Sequence, residues 1–271
     1  MAGSGTDRLD ASAGPVVWIT PMTETPTPRK RRSRKAAEPP PSLVRRVRRH
    51  AVRWALRGLG LAVGLVLAWV LLLSVVNPPR NLYMRSEAAR LGDIAQDWAD
   101  WDDIAPVMAR SIVAAEDANY CLHWGFDMAA IRQALDQGGT RGASTISQQV
   151  VKNVFLWQGR SWVRKALEAM LTPVVETLWS KRRILEVYMN IAEFDEGVFG
   201  VAAAADRYFG VSPDKLTPVQ AARLAMVLPD PKGRSAARPS DWQRRRTAAI
   251  MDGAQTIAAD GRSACFEGGA G

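Results

Sequence analysis

The sequence is poor in the residues that build disulfide frameworks and metal centres. Of its 271 residues, only Cys121 and Cys265 are cysteines and only His50 and His123 are histidines. These numbers exclude a multi-disulfide scaffold and argue against a zinc site, so we predict no metal-ligand cluster. A single Cys121–Cys265 bridge could form in an oxidising compartment, although the Gly-rich surroundings of Cys265 speak against it.

The folded part of the chain also lacks an excess of either charge. The net charge is +9, but residues 1–57 contain 13 Lys or Arg against 4 Asp or Glu, and the rest of the chain contains 23 of each. A nucleic-acid partner for the domain therefore has no electrostatic support. Alternating runs longer than four residues, which are typical of strands, are missing, and we find no internal repeat. The pattern predicts a mainly α fold in one large or two small domains.

The N-terminal quarter of the chain predicts a membrane anchor. Residues 1–43 are rich in Pro, Ser, Thr and basic side chains and are expected to be a disordered tail. In residues 44–77, an arginine-rich start precedes 19 uncharged residues, 58–76. As a helix this run spans about 28 Å, the thickness of a bilayer core. A buried core helix or a cleaved signal peptide would be the alternatives, but the long leader has no small-residue cleavage site. Arginines before the run and Asn-Pro-Pro after it predict a cytoplasmic N-terminus and an extracytoplasmic domain.

Residues 78–253 are predicted to form the domain, and residues 254–271 a flexible tail. Residues 81–104 are interpreted as a polar connector whose tryptophans, Trp98 and Trp101, could lie at the membrane interface but are expected to pack in the core. Further on, capping residues and apolar spacing predict helices. Their expected ranges are 127–138, 145–155, 161 onward with a kink or break at Pro173, 181–193, 201–209, 217–228 and 240–253.

Glu116 is the first candidate for chemistry. It follows the apolar run Ile112-Val113-Ala114-Ala115, and a carboxylate on an apolar wall is desolvated, which raises its pKa towards that of a useful general base. The alternative is an acid pair with Asp117 that caps or salt-bridges locally. His123 by itself is more typical of a structural histidine, and Asp127 of a helix cap.

A second candidate segment surrounds the predicted helix start at residue 145. Its small residues, hydroxyls and amides could present free backbone N–H groups to phosphate or sugar oxygens. Basic side chains that follow could clamp a pyrophosphate. The alternative is a capped helix with a solvated basic face, on which Glu168 only balances Arg164 and Lys165. Tyr188 and Asn190 could touch a sugar or cap a helix end.

Taken together, four blocks of sequence resemble the family 51 glycosyltransferases, the bacterial peptidoglycan polymerases. The blocks are EDANYCLHWGFD (116–127), GASTISQQ (142–149), RKALE (164–168) and ILEVYMN (184–190), and a later LPDP (228–231) is also similar. The resemblance runs from about residue 80 to 250 and leaves no room for a transpeptidase domain, so the chain looks like the monofunctional type. One departure is Asp195, at a position where the family commonly has Gly; it puts the shape of a loop in question.

The resemblance implies a lysozyme-like helical lobe with a small membrane-proximal jaw lobe. It also implies a substrate, lipid II, which is polymerised into β-1,4-linked glycan with inversion and release of undecaprenyl pyrophosphate. Glu116 would be the general base and Glu168 a second catalytic carboxylate, which orients groups or helps to bind Mg²⁺ or another divalent cation; no organic cofactor is implied. The implied substrate-binding residues are Asp117, His123, Ser144, Thr145, Gln148, Gln149, Lys152, Arg160, Arg164, Lys165, Tyr188 and Asn190.

Two other classes of protein fit parts of this pattern. A lysozyme-like hydrolase would use Glu116 as a general acid, but it would need neither a phosphate clamp nor a lipid-facing jaw. A membrane scaffold would recruit cell-wall synthesis or division proteins without needing Glu116. The expected partners of the polymerase are lipid II, the growing glycan, the inner membrane and such proteins.

Overall fold

The computed structural model describes residues 43–138, 142 and 144–268. The predicted tail therefore lies outside the described residues except for Leu43, as does Ala143 of the second block. The α-helices in the described part are α1 (Leu43–Leu73), α2 (Leu82–Leu91), α3 (Pro106–Glu116), α4 (Met128–Asp136), α5 (Ile146–Phe155), α6 (Trp162–Leu178), α7 (Lys181–Ile191), α8 (Val201–Phe209), α9 (Pro218–Val227), α10 (Asp241–Ala259) and α11 (Ala264–Glu267). The strands are β1 (Ala95–Gln96), β2 (Glu193–Asp195) and β3 (Val198–Phe199). The prediction of a mainly α fold is confirmed.

Helix α1 is long and apolar enough to cross a membrane. It begins before the uncharged run because the preceding arginine-rich residues continue the same helix. Most of its apolar side chains in residues 59–72 are exposed to the surroundings, which is the arrangement expected of a helix that lies in lipid. The last turn is different, because Val70 and Leu73 are buried and the indole N–H of Trp179 donates to the Val70 carbonyl at 2.8 Å.

Arg183 fixes the exit from α1. Its guanidinium donates to the carbonyl of Val76 at 2.8 Å and to the side-chain oxygen of Asn77 at 3.0 Å. It also pairs with Glu186 at 2.8 Å, and both side chains are largely buried. Since α7 carries Arg183, the end of α1 is tied to a core helix of the domain.

The helix starts are set by local capping. Asp127, Thr145, Ser161, Thr217 and Ser240 each accept a hydrogen bond from a backbone N–H of the first helical turn, as predicted. Helix α6 runs through Pro173, where we expected a kink or break, and remains helical to Leu178. Buried apolar faces pack α3, α9 and α10 against one another, and α5 against α6 and α7.

Residues 81–104 contain more structure than the predicted polar connector. Asn81 caps α2 by accepting the N–H of Met84 at 2.8 Å. Strand β1 then pairs in parallel with β3, which also pairs antiparallel with β2. The sequence did not reveal these strands because each is only two or three residues long. Trp98 and Trp101 pack against the core, as predicted.

The unusual Asp195 lies beside an irregularity of the sheet. It lies in β2 and pairs with Val198, but the register between β2 and β3 shifts between Glu193 and Asp195. Its side chain accepts the N–H of Glu196 at 2.9 Å. The positive backbone angles in this region fall on Gly197, in the turn between β2 and β3, and on Gly200, which precedes α8.

The predicted helix end at Gly253 is wrong. Helix α10 continues to Ala259, and Gly253 lies inside it, where a Cβ atom would come within 3.1 Å of Ala114 on α3. Glycine thus permits close helix packing here and does not end the helix. Beyond α10, Phe266 is completely buried and Cys265 forms a disulfide with Cys121, so the C-terminal segment is bound to the first block.

We expect the double variant Cys121→Ser/Cys265→Ser to lose about 2–5 kcal/mol of unfolding free energy, because the bridge closes a long loop in the unfolded chain. Urea denaturation of the full chain in detergent would measure this loss. The parent chain in a reducing buffer serves as a control and should lose a similar amount. An unchanged midpoint in both would show that the bridge does not stabilise the fold.

Candidate active site

The apolar end of α3 places Glu116 at the edge of a cleft. Ile112 and Val113, one turn earlier, are buried, whereas Glu116 itself is half-buried. One carboxylate oxygen accepts a hydrogen bond from Gln149 Nε2 at 2.9 Å. Burial raises the pKa of Glu116, and the Gln149 hydrogen bond and the positive charge of Arg246 offset part of this rise. These properties suit a general base.

Gln149 is held in place from its other side. The buried hydroxyl of Tyr188 donates to Gln149 Oε1 at 3.3 Å, so Tyr188 on α7 orients the amide that contacts Glu116. Tyr188 was predicted to bind substrate. The structure places it against Gln149 in the wall of the cleft, where it is almost fully buried but lines the same cavity as Lys152.

Asp117 joins the first and second sequence blocks. One of its oxygens lies 2.8 Å from His123 Nε2, and the other accepts the N–H of Ile146 at 3.0 Å. Thr145 adds a second link, since its hydroxyl donates to the Gly125 carbonyl at 2.7 Å. These contacts position the start of α5 beside the end of α3.

Gly125 is required at this junction. Its φ is 84°, and an added Cβ atom would lie 2.7 Å from the methyl group of Thr172. Thr145 and Gln148 also form the capping box of α5, and both are buried. Asp117, His123, Thr145 and Gln148 are therefore assembled at the site, but mainly as residues that shape it.

A cluster of cations surrounds Glu168. Arg164 Nη1 donates to one Glu168 oxygen at 2.8 Å, Lys165 Nζ pairs with the other, and Glu168 is buried. Lys165 Nζ also lies 3.5 Å from the Ser144 hydroxyl. Burial lowers the pKa of Lys152, although the charge of Glu168 acts in the opposite direction. The alternative role suggested by the sequence, in which Glu168 balances Arg164 and Lys165, is thus present in the structure.

The two oxygens of Glu168 already contact cationic side chains, Arg164 and Lys165. A divalent cation at Glu168 would compete with these cations and would take its other oxygen ligands from water or the substrate diphosphate. Within the described ranges, no group of three His, Cys, Asp or Glu side chains could hold a metal. We therefore assign no step of the reaction to a metal at Glu168.

Three adjoining cavities make up the cleft. Glu116 lines two of them, the larger of which has a volume of about 730 Å³. Lys152 lines a third, of about 170 Å³, and Gln149 borders both this cavity and the larger one. Glu116 and Lys152 are close enough for the carboxylate charge to favour the charged lysine. The predicted base and one predicted phosphate ligand are therefore brought together.

Two predicted substrate-binding residues lie elsewhere. Arg160 is exposed in the loop between α5 and α6 and lines none of these three cavities. Asn190 is completely buried, and its amide exchanges two hydrogen bonds with the backbone of Ala99, at 2.8 and 2.9 Å. The predicted substrate contact of Asn190 is not supported, because its side chain holds the connector against α7.

Sequence reasoning missed several residues of the cleft. Tyr83 on α2 lines the Lys152 cavity and donates to Glu193 at 2.7 Å; burial and that carboxylate raise the pKa of Tyr83 to about 12. Arg234, Trp242 and Arg246 line the larger cavity beside Glu116. The only signal for them was their position after the LPDP segment, within a basic stretch of sequence.

Known proteins match this chain over most of its length. The sequence model of the Transglycosylase family matches residues 85–255. A biosynthetic peptidoglycan transglycosylase of Jannaschia sp. (strain CCS1) is 59% identical over 214 residues, which are 79% of this chain and 90% of that protein. Proteins with the same name from Xanthomonas campestris pv. campestris (strain B100) and Cronobacter sakazakii (strain ATCC BAA-894) are 45% and 46% identical. The matches cover 84% and 77% of this chain and 95% and 91% of the two proteins' own lengths.

The raised pKa of Glu116 predicts a pH-dependent stability difference between the parent and Glu116→Gln. A carboxyl group whose pKa is higher in the folded state destabilises the fold once it ionises. The variant should therefore gain stability relative to the parent as the pH rises from 4 to 8, and the two should converge at acidic pH. Urea denaturation at several pH values measures this gain, with Glu196→Gln as a surface control. A gain that shrinks with rising pH would contradict the burial of Glu116.

Proposed function

From the premise that this chain belongs to the Transglycosylase family and is a peptidoglycan glycosyltransferase, we propose that Glu116 is the general base with which it polymerises lipid II. The observation that carries the proposal is the half-buried Glu116 carboxylate, which is held by Gln149 beside a cluster of cations. A base and a site for an anionic leaving group thus border the same cleft.

The reaction joins two lipid-linked disaccharides. Glu116 takes the proton from the 4-hydroxyl of the acceptor GlcNAc as that oxygen attacks C1 of the donor MurNAc. The bond between C1 and the diphosphate oxygen breaks, so the product has inverted β-1,4 stereochemistry and undecaprenyl pyrophosphate leaves. The raised pKa of Glu116 makes its carboxylate a stronger base than an exposed glutamate.

We assign the leaving diphosphate to Lys152 and Lys165. Burial disfavours the charged form of Lys152, and a phosphate bound beside this lysine would stabilise its positive charge. Arg164 and Lys165 both contact Glu168, so Glu168 acts here as the residue that holds the two cations in place. Arg160, on the exposed loop, stays a candidate for the outer part of the diphosphate path. We also place Ser144 at the rim of the diphosphate site, because its hydroxyl lies 3.5 Å from Lys165 Nζ.

The single apolar helix indicates a single-pass anchor. We further propose that the N-terminus is cytoplasmic and that the domain lies outside the inner membrane. Two observations support this orientation: the arginines that precede the uncharged run and the Cys121–Cys265 disulfide, which is typical of oxidising compartments. Exposed apolar side chains fit a membrane-proximal jaw: Leu122, Trp124, Met128, Trp162, Val163 and Met170.

Confinement of enzyme, donor and growing chain to one surface raises their effective concentrations. The substrates implied by family membership are lipid II and the growing glycan, and cell-wall synthesis or division proteins remain proposed partners. A hydrolase that cuts finished glycan would not use the Lys152 and Lys165 sites, since its leaving group carries no phosphate.

We expect Glu116→Gln to lower lipid II turnover at least ~10²-fold, because a general base contributes on this scale. Polymerisation by the full chain in detergent, followed on gels that resolve glycan length, measures the loss. Glu196→Gln, a carboxylate exposed outside the cleft, is the matched control and should keep parental turnover. Parental turnover by the folded Glu116→Gln variant would refute the base assignment.

The proposed orientation predicts the activity of reporter fusions. Alkaline phosphatase joined after Gly271 should be active, since it folds only outside the cytoplasm, whereas a cytoplasmic reporter joined there should be inactive. The same pair joined before Met1 should give the reverse pattern. Cytoplasmic activity of the C-terminal fusion would overturn the orientation and leave the catalytic assignment intact.

A further inference from the structure

The larger cavity has a cationic wall that is distinct from the Glu168 cluster. Arg234, in the segment between α9 and α10, and Arg246, on α10, both line this cavity with Glu116. Lys152 lines the neighbouring cavity, and Gln149 borders both cavities. The cleft therefore presents positive charge at two separate positions.

Both arginines are anchored without being neutralised. Arg234 Nη1 donates to the Met226 carbonyl at 2.9 Å, and Arg246 Nη2 donates to the Ala115 carbonyl at 3.2 Å. Within the described part of the chain, no carboxylate forms an ion pair with either side chain. Each guanidinium has five N–H donors, so most of them remain available for a ligand. This differs from Arg164 and Arg183, which pair with Glu168 and Glu186.

Trp242 completes the wall. It is 51% exposed although it lines the cavity, so it contributes an accessible aromatic surface and not a buried core side chain. The Arg234 guanidinium lies over its ring, 5.0 Å from the ring centre. Aromatic side chains with convergent polar groups are typical of small-molecule sites, and the volume of about 730 Å³ is adequate for a disaccharide unit.

The proposed reaction explains why one cleft needs two cationic positions. It joins two copies of the same substrate, each with sugars and anionic groups, and only one copy loses its diphosphate. The cations around Glu168 account for the group that leaves. The acceptor keeps its anionic groups throughout the reaction. These groups need cationic partners of their own, separate from the cations that bind the departing diphosphate.

We propose that Arg234, Arg246 and Trp242 form the acceptor subsite, in which the two guanidiniums bind an anionic group of the acceptor and Trp242 packs against a sugar ring. This inference rests on the proposed function, because it takes Glu116 as the base that deprotonates the acceptor. The anion is a phosphate or a carboxylate of the stem peptide, and both match the donors of a guanidinium. The subsite selects acceptors that carry such a group.

The test uses acceptors that cannot act as donors. The full chain in detergent receives a saturating lipid II analogue that lacks the GlcNAc 4-hydroxyl, so that it can act only as the donor, and one of three disaccharide acceptors that have a free 4-hydroxyl. The first carries a C1 phosphonate and a stem peptide with amidated carboxylates, the second a C1 methyl group and a peptide with free carboxylates, and the third neither charge. We expect Arg234→Gln and Arg246→Gln to lower kcat/KM about 10–100-fold for the charged acceptor that the subsite recognises. The neutral acceptor should lose much less, because with it the variants change only the pKa of Glu116, which the charges of Arg246 and Arg234 lower.

Control variants separate this role from others. Arg245→Gln removes a neighbouring exposed arginine that does not line the larger cavity, and it should behave as the parent. Lys152→Met should instead raise the KM for the lipid II donor with every acceptor. Trp242→Ala should raise the KM for all three acceptors, and Trp242→Phe should restore much of the loss. If Arg234→Gln destabilises the fold, Arg234→Lys retains the charge and should keep the preference for a charged acceptor.

Two outcomes would overturn the acceptor subsite. The first is an equal loss with charged and neutral acceptors, which would mean that the arginines act only on Glu116 or on the fold. The second is that both arginine variants prefer the charged acceptor over the neutral one as strongly as the parent does. Either outcome is independent of the proposed function, whose failure would appear as parental turnover by Glu116→Gln.

Discussion

The cleft depends on the Asp117 carboxylate. This one side chain accepts the first backbone N–H of α5 and contacts His123, so it fixes the end of α3, the loop that follows and the start of α5 relative to one another. Glu116 is the next residue along the chain, and its partner Gln149 lies in the first turn of α5. The distance between the base and its hydrogen-bond donor is thus set by the residue that follows the base in the sequence.

The features that the sequence predicted well are local. The capping residues of α4, α5, α6, α9 and α10 determine hydrogen bonds within three residues of themselves, so a single sequence contains all the information needed. The uncharged run and its arginine flank are also local, and they predicted the anchor. Family resemblance supplied Glu116 as a functional candidate, and the apolar approach to it gave an independent physical reason.

The features that were missed depend on contacts between distant parts of the chain. Gly253 was interpreted as a helix end because nothing in the sequence shows that Ala114 lies against it. Cys265 pairs with a cysteine 144 residues away, and this pairing turns an expected flexible tail into a fixed segment. Arg246 reaches the cleft because α10 packs on α3, and Arg234 because its guanidinium bonds to the Met226 carbonyl on α9. Asn190, in contrast, belongs to a recognisable block, yet its contacts are those of a core residue.

Burial affects the two central charges of the cleft in the same way. It raises the pKa of Glu116 and lowers that of Lys152, so the charged form of each is disfavoured, while the attraction between them favours both charges. A diphosphate beside Lys152 would add a second anion to this environment and favour the protonated lysine. It would also favour the protonated form of Glu116. Glu116 reaches this form when it takes the proton of the acceptor hydroxyl, which is the step assigned to it. Binding of the donor and deprotonation of the acceptor are therefore electrostatically coupled through the spacing that Asp117 and Gln149 maintain.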